Sequence, residues 1–190
     1  MFVKKLVEKA SKKPGGSSEG LKSEDVNPCV AFHYGIPSGS HLLAYDSVQQ
    51  ILAISTKDGR IKLYGKDNTQ AILESPEAVA SKFLRFLENQ SILLNLNAND
   101  HIEVWDIQRK LLSHVHVFKE VITSFTALQH GFYMYVGDSK GNVSVLKLDQ
   151  EQCNVVQMKY NIPLSAAHGN IDVDGDASVM HILPQPAAKV

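Results

Sequence analysis

The sequence predicts an all-β chain: a partial β-propeller of about three four-stranded blades and the start of a fourth, with a short N-terminal helix. Two observations carry this. A segment of about 25 residues occurs three times at a constant offset of 41 positions. Tyr64, Trp105 and Leu146 mark it, as do Ile61, Ile102 and Val143, then Leu63, Val104 and Val145, then Leu52, Leu93 and Met134. A period near ~40 residues is the mark of repeat units that stack on their neighbours. Within each period, short apolar runs alternate with turn residues in numbers that suit four strands, the content of one blade.

The elements follow in order. Residues 2–11 read as a short amphipathic helix, with Phe2, Val3, Leu6 and Val7 at helical spacing and lysines between them. Residues 12–25, with Pro14, Gly15, Gly16, Ser17 and Ser18, read as a flexible linker. Cys29–Phe32 is a short strand candidate, followed by a turn through Gly35, Pro37 and Gly39. The first repeat, about 41–65, offers a strand at Leu42–Ala44, a turn at Asp46 and Ser47, and a strand at Ile51–Ser55. Asp58 and Gly59 then form a tight hairpin signal, because Gly tolerates positive φ. Ile61, Leu63 and Tyr64 continue as a half-buried strand.

The second repeat, about 82–107, repeats the series. Phe83–Phe86 is a strand, Glu88 and Asn89 a turn, Ile92–Leu96 a strand, Asn99 and Asp100 a turn, and Ile102–Trp105 a strand. The third, about 122–149, has strands at Ile122–Leu128 and Phe132–Val136, then a turn at Lys140 and Gly141, then Val143–Leu148. Ala71–Leu73, Leu112–Phe118 and Val155–Met158 supply the fourth strand of each period. Residues 161–178 read as a loop, and Val179–Leu183 as the first strand of an incomplete fourth blade. The organisation expected is therefore a basic arm and linker at 1–25, three blades over 26–160, and a loop with one further strand at 161–190. A ring needs roughly four to eight blades, so the chain is expected to be an N-terminal fragment of a longer protein, with unpartnered faces on its end blades.

Composition narrows the function. The hydrophobic fraction of 44% and charged fraction of 21% are those of an ordinary globular protein. Nineteen basic against twenty acidic side chains give a formal charge of −1, which argues against a nucleic-acid partner. Cys29 and Cys153 form neither a disulfide framework nor a metal spacing, as expected of a cytoplasmic chain. Residues 1–13 carry Lys4, Lys5, Lys9, Lys12 and Lys13 against Glu8, a net +4. Those five lysines are the candidate contacts to an anionic membrane, weak and reversible, at about 1 kcal/mol per cation.

The second repeat closes Ile102-Glu103-Val104-Trp105-Asp106, the end of a WD repeat. The stretch from His33 to Gly65 narrows the match: His33, Gly35 and Pro37 approximate one turn, Ala44, Asp46, Val48, Gln49, Ile51, Leu52 and Ala53 a following run, and Gly59, Ile61, Leu63 and Gly65 a close. On these residues the chain resembles the lethal giant larvae and tomosyn family, in wording most like its plant tomosyn-like members. The resemblance covers about 30–150 and is most specific in the first repeat. It implies a non-enzymatic propeller scaffold, part of a regulator of SNARE-mediated vesicle fusion and exocytosis. It further implies syntaxin-type SNARE partners, bound through parts of the full protein outside this chain, and a place in the cytoplasm and at the plasma membrane. GTPase-activator and myosin-binding roles are also associated with the family. The alternative is a generic WD-repeat adaptor, such as a ubiquitin-ligase substrate receptor.

The chain departs from the general WD pattern. The position that anchors the usual Trp-Ser-His-Asp hydrogen-bond tetrad is Asp58, Asn99 and Lys140 in turn. Blade cohesion is therefore expected mainly from apolar packing. The structural markers of the repeats are Asp58, Gly59, Tyr64, Asn99, Trp105, Asp106, Gly141 and Leu146. No catalytic, cofactor or metal residue is expected. Asp172, Asp174 and Asp176 open like a calcium loop, but its sixth and twelfth positions are Ala177 and Leu183, not Gly and Glu. His114 and His116 share a strand face without a third ligand and read as a partly exposed pair.

Overall fold

The structure, a computed structural model, describes residues 34–128, 131–162 and 177–184. The expected helix at 2–11, the linker, the Cys29–Phe32 strand, the five arm lysines and Asp172, Asp174 and Asp176 lie outside the described residues.

Among the described residues, twelve strands form three antiparallel four-stranded sheets, each in simple sequential order. The first holds β1 (Ser40–Asp46), β2 (Ile51–Thr56), β3 (Arg60–Tyr64) and β4 (Gln70–Glu74). The second holds β5 (Ser81–Leu87), β6 (Ile92–Asn97), β7 (His101–Asp106) and β8 (Leu111–Val117). The third holds β9 (Ile122–Ala127), β10 (Tyr133–Asp138), β11 (Val143–Asp149) and β12 (Asn154–Ile162). These are the three expected blades, and the 41-residue offset reappears as cross-strand register. Leu52 pairs with Tyr64, Leu93 with Trp105 and Met134 with Leu146. The first strand of each blade also carries a register shift at one equivalent place, around His41, Lys82 and Thr123.

Alternation within each strand gives every blade two faces. Call forward the face toward the next blade in chain order and rear the face toward the previous one. The forward face of blade 1 (Ala53, Ile61, Leu63, Leu73) packs on the rear face of blade 2 (Phe86, Leu93, Trp105). The forward face of blade 2 (Leu94, Leu96, Ile102, Val104) packs on the rear face of blade 3 (Met134, Val136, Leu146, Leu148, Val155).

The hairpin turns at Gly59, Asp100 and Gly141 all have positive φ, +82°, +63° and +84°. At Gly59 the need for glycine is also spatial: a Cβ there would lie 2.6 Å from the carbonyl oxygen of Glu77. Beside these turns, one backbone bond recurs at the repeat offset: Lys57 N–H to Gly39 O (3.0 Å), Ala98 to Ala80 (2.8 Å) and Ser139 to Val121 (2.9 Å).

The tail differs from expectation. β12 runs to Ile162, into the segment read as loop. Residues 177–184 form no strand, so the expected first strand of a fourth blade at Val179–Leu183 is not formed. The β-branched and apolar run suits a strand, but a strand also needs a ladder. Here Val179 N–H donates to Asp138 O (3.1 Å) and Thr123 Oγ1 donates to Val179 O (2.7 Å). Val179 fills the place above Gly137, where a Cβ would come within 2.5 Å of it.

Candidate protein-interaction face

The sequence markers fall into two groups. Tyr64, Trp105 and Leu146 hold one equivalent rear-face position in blades 1, 2 and 3. Trp105 and Leu146 are buried against the preceding blade. Tyr64, with no blade behind it among the described residues, donates its hydroxyl to Gly35 O. The remaining markers shape loops. Asp106 Oδ1 accepts from Arg109 N–H (2.9 Å) and closes the turn after β7. Asp58 accepts from Arg60 Nε (2.9 Å) and Nη2 (2.5 Å) and from Thr56 Oγ1. These bonds, Arg60's first, hold its pKa down at about 2. Asn99 donates to Glu77 Oε2 (2.9 Å), and Lys140 Nζ to Glu120 (2.8 Å).

Sequence reading missed a polar node in the junction of blades 1 and 2. Glu103, on the rear face of blade 2, is fully buried. Its carboxylate accepts from Trp105 Nε1 (3.0 Å), Asn95 Nδ2 (2.9 Å), Asn97 Nδ2 (3.3 Å) and the hydroxyl of Ser75, just past the end of β4. Glu77 sits alongside, accepting from Asn97 and Asn99 (both 2.9 Å) and meeting His101 Nδ1 at 2.8 Å. The Asn99 bond is the main cause that lowers the Glu77 pKa, with the charge of His101 adding to it. Trp105 therefore closes its blade through an indole-to-carboxylate bond, in a protein whose usual tetrad residues are replaced. At the opposite loop end, buried Asp46 accepts from Val48 and Gln49 N–H in its own turn and from Asn89 N–H (2.9 Å) of blade 2. Gln49 Nε2 donates to Ser91 Oγ (2.8 Å) in the same seam.

The second junction has its own clip. Asp100 Oδ1 accepts from Lys82 Nζ (2.6 Å) and from Ile122 N–H (2.9 Å), which ties the second blade to the start of the third. His114 and His116 lie on the forward face of blade 2, opposite Val104 and Ile102, with ring centres 6.5 Å apart. His116 meets Phe118 edge-on at 4.9 Å. Burial, then the neighbouring His114, lowers its pKa. Among the described residues no group of three or more metal-ligating side chains is present.

Leu43, 71% exposed, is the most exposed large apolar side chain on a described strand, and with Tyr45, 54% exposed, it lies on the rear face of blade 1. Val48 stands beside them in the next turn, also exposed. This face offers shape, aromatic surface and backbone rigidity, the means by which a scaffold holds a partner.

No protein-family profile matches the chain. It is similar to lethal(2) giant larvae protein homolog 1 of rat, 30% identical over 98 residues, and of cattle, 31% over 102 residues. Each match covers 51% of this chain and 10% of the relative. The human homologue is 30% identical over 89 residues, 47% of this chain and 8% of that protein. The chain thus matches about a tenth of the length of these relatives. Among solved structures, the C-terminal WD40 domain of Sif2 aligns with a TM-score of 0.58 at 11% identity, over 74% of this chain and 38% of that one. Saccharomyces cerevisiae Sqt1 aligns at 0.52 and 11%, over 63% and 34%. The structural matches establish the propeller-blade fold, and the curated ones bear out the lethal giant larvae resemblance.

Proposed function

We propose that this chain, a set of WD-type blades similar to the lethal giant larvae proteins, is a non-enzymatic protein-binding scaffold in a tomosyn-like regulator of SNARE-mediated vesicle fusion and exocytosis. The observation that carries the scaffold reading is the open rear face of blade 1, with Leu43 and Tyr45 displayed on a rigid sheet. The SNARE part rests on the similarity to lethal giant larvae homologues and on the first-repeat wording from His33 to Gly65. In this reading the protein works in the cytoplasm, against the plasma membrane, with Lys4, Lys5, Lys9, Lys12 and Lys13 as a weak anionic-lipid contact. Syntaxin-type SNAREs are its partners.

Affinity capture of the protein tagged at its natural locus tests this. Recovery of Qa-type SNAREs is the expected result. Recovery of ubiquitin-ligase subunits without SNAREs overturns it in favour of a generic WD adaptor.

A further inference from the structure

The outermost strand of each blade, β4, β8 or β12, leaves one edge of its sheet unpaired. This rim belongs to the blade itself and stays open whatever further blades complete a ring. An unpaired edge is a template for another strand, and proteins blunt it with charge, shortness or a bulge. β4 has five residues and ends on exposed Glu74. β12 carries exposed Lys159, and its ladder is broken between Ser144 and Leu146. β8, Leu-Leu-Ser-His-Val-His-Val, has seven residues and no Asp, Glu, Lys, Arg or Pro. Its own break, opposite Val104 and Trp105, leaves the part from His114 onward regular.

The ladder fixes which backbone groups of that part point outward. Phe118 N–H donates to Asp100 O (3.3 Å), and His101 to Val104 pair in unbroken register with Val117 to His114. Hydrogen-bonded and non-bonded pairs alternate along an antiparallel ladder. His114 and His116 therefore turn their N–H and C=O toward β7, while Val115 and Val117 turn theirs outward. Val117 is also 59% exposed. A two-fold axis through His116, perpendicular to the sheet, sets His114–Phe118 against itself. Val115 then meets Val117 of the second copy, His114 meets Phe118, and His116 meets His116. The outward groups fall on the Val115–Val117 pairs, where a new ladder needs them. β-Branched side chains meet on one face and rings on the other, the kinds of cross-strand pair that favour a sheet.

We propose that β8 pairs antiparallel with β8 of a second copy of this protein, joining two blades edge to edge in one continuous sheet. The contact is isologous, so it closes on itself and leaves no open end. It adds roughly four backbone hydrogen bonds, two at each Val115–Val117 pair. A contact of this size makes a weak dimer that forms with concentration. The proposal is independent of the SNARE reading, since it concerns only the rim of blade 2.

Sedimentation velocity of the 190-residue chain is expected to show the mass rising from one chain toward two as concentration reaches about 100 µM, the range of a micromolar Kd. Val117→Pro removes an outward N–H and no bond to β7, a change that an edge strand accommodates. It is expected to weaken the dimer at least about tenfold, with unchanged far-UV circular dichroism. The double variants Val115→Lys/Val117→Lys and Val115→Glu/Val117→Glu are each expected to be monomeric. Their equimolar mixture is expected to recover the dimer, because opposite charges then face each other at both pairs. His116→Cys reads the register. Facing residues of a non-bonded pair have Cα atoms about 4.5 Å apart, within disulfide reach, so mild oxidation is expected to link two such chains beyond the wild-type level. His114→Cys, whose two copies are displaced along the strands, is expected to stay at that level. A wild-type chain that remains monomeric at about 100 µM overturns the proposal. So does a dimer that Val117→Pro leaves intact, or one that His114→Cys links and His116→Cys does not.

Discussion

The two internal junctions are built from the same repeat yet hold by different means. Between blades 2 and 3 the core of the contact is apolar, with the Asp100 clip at its edge: Leu94, Leu96, Ile102 and Val104 meet Met134, Val136, Leu146 and Leu148, and Phe83 lies 6.2 Å from Phe125. Between blades 1 and 2 the apolar contact surrounds a buried carboxylate. The difference traces to single positions. Asn95 of blade 2 is Val136 in blade 3, Glu103 is Ser144, and Trp105 is Leu146. A repeat thus fixes the geometry of a junction and leaves its chemistry free, because backbone register depends on alternation while cohesion depends on which side chains fill the seam.

The largest way to break this contrast is Glu103→Ala. It leaves Trp105, Asn95, Asn97 and Ser75 without their shared acceptor. Unsatisfied buried donors cost ~1–3 kcal/mol each before relaxation, so a loss of about 3–5 kcal/mol is expected in urea melts. Ser144→Ala, at the equivalent place in blade 3, is expected to stay within about 0.5 kcal/mol. Equal losses at the two positions would dissolve the distinction. In the apolar junction, Leu96→Ala removes a fully buried side chain and is expected to cost about 2–4 kcal/mol by transfer and cavity terms. Hydrogen exchange should then show β9 and β10 opening before β1 and β2.

The blades were legible because apolar alternation and a fixed offset both survive in the sequence. The strands at Ile51–Thr56, Ile92–Asn97 and Tyr133–Asp138 could be located from Leu52, Leu93 and Met134 alone. The node was not. In Ile102-Glu103-Val104-Trp105, the apolar Ile102 and Val104 suggest an inside face, so Glu103 reads as solvent-facing. A blade buried on both sides has no such outside. The available signal was Trp105, which shares a face with Glu103, together with Asn95 directly opposite in the ladder. The Val179 segment departs from the expected strand for a related reason: residue type indicates extended backbone, but only the neighbours decide whether a ladder forms.

Gly59→Ala probes the loop side of the first junction. The turn holds φ at +82°, and the new Cβ would press on the carbonyl of Glu77, 2.6 Å away. A left-handed conformation alone costs an L-residue ~1–2 kcal/mol, so a loss of about 2 kcal/mol is expected. Gly59 abuts the linker that carries Glu77, so exchange should rise at 75–80 and leave β8 to β12 unchanged.

The smallest effect separates the junctions by pH. His116, in the seam of blades 2 and 3, has its pKa lowered by burial from 6.5. The folded state therefore prefers the neutral ring. Its contribution is fully present above 6.5 and is lost as pH falls below that value toward the folded pKa, because the unfolded chain takes up the proton first. On the same face it meets His114, whose nearby charge lowers the pKa further, and the apolar side chains of Ile102 and Val104. Glu77, in the seam of blades 1 and 2, has its pKa lowered from 4.5. A lowered carboxylate stabilises above its unfolded value and loses that contribution only as pH falls through 4.5 and below. Acidification is thus expected to loosen β8 and β12 first, as pH falls below 6.5, and the linker at Glu77 only as it falls below 4.5. Exchange rates at the two seams, corrected for intrinsic pH dependence, measure this order. His116→Phe should abolish the upper step and leave the lower one, and an upper step that persists in that variant would assign it to another group.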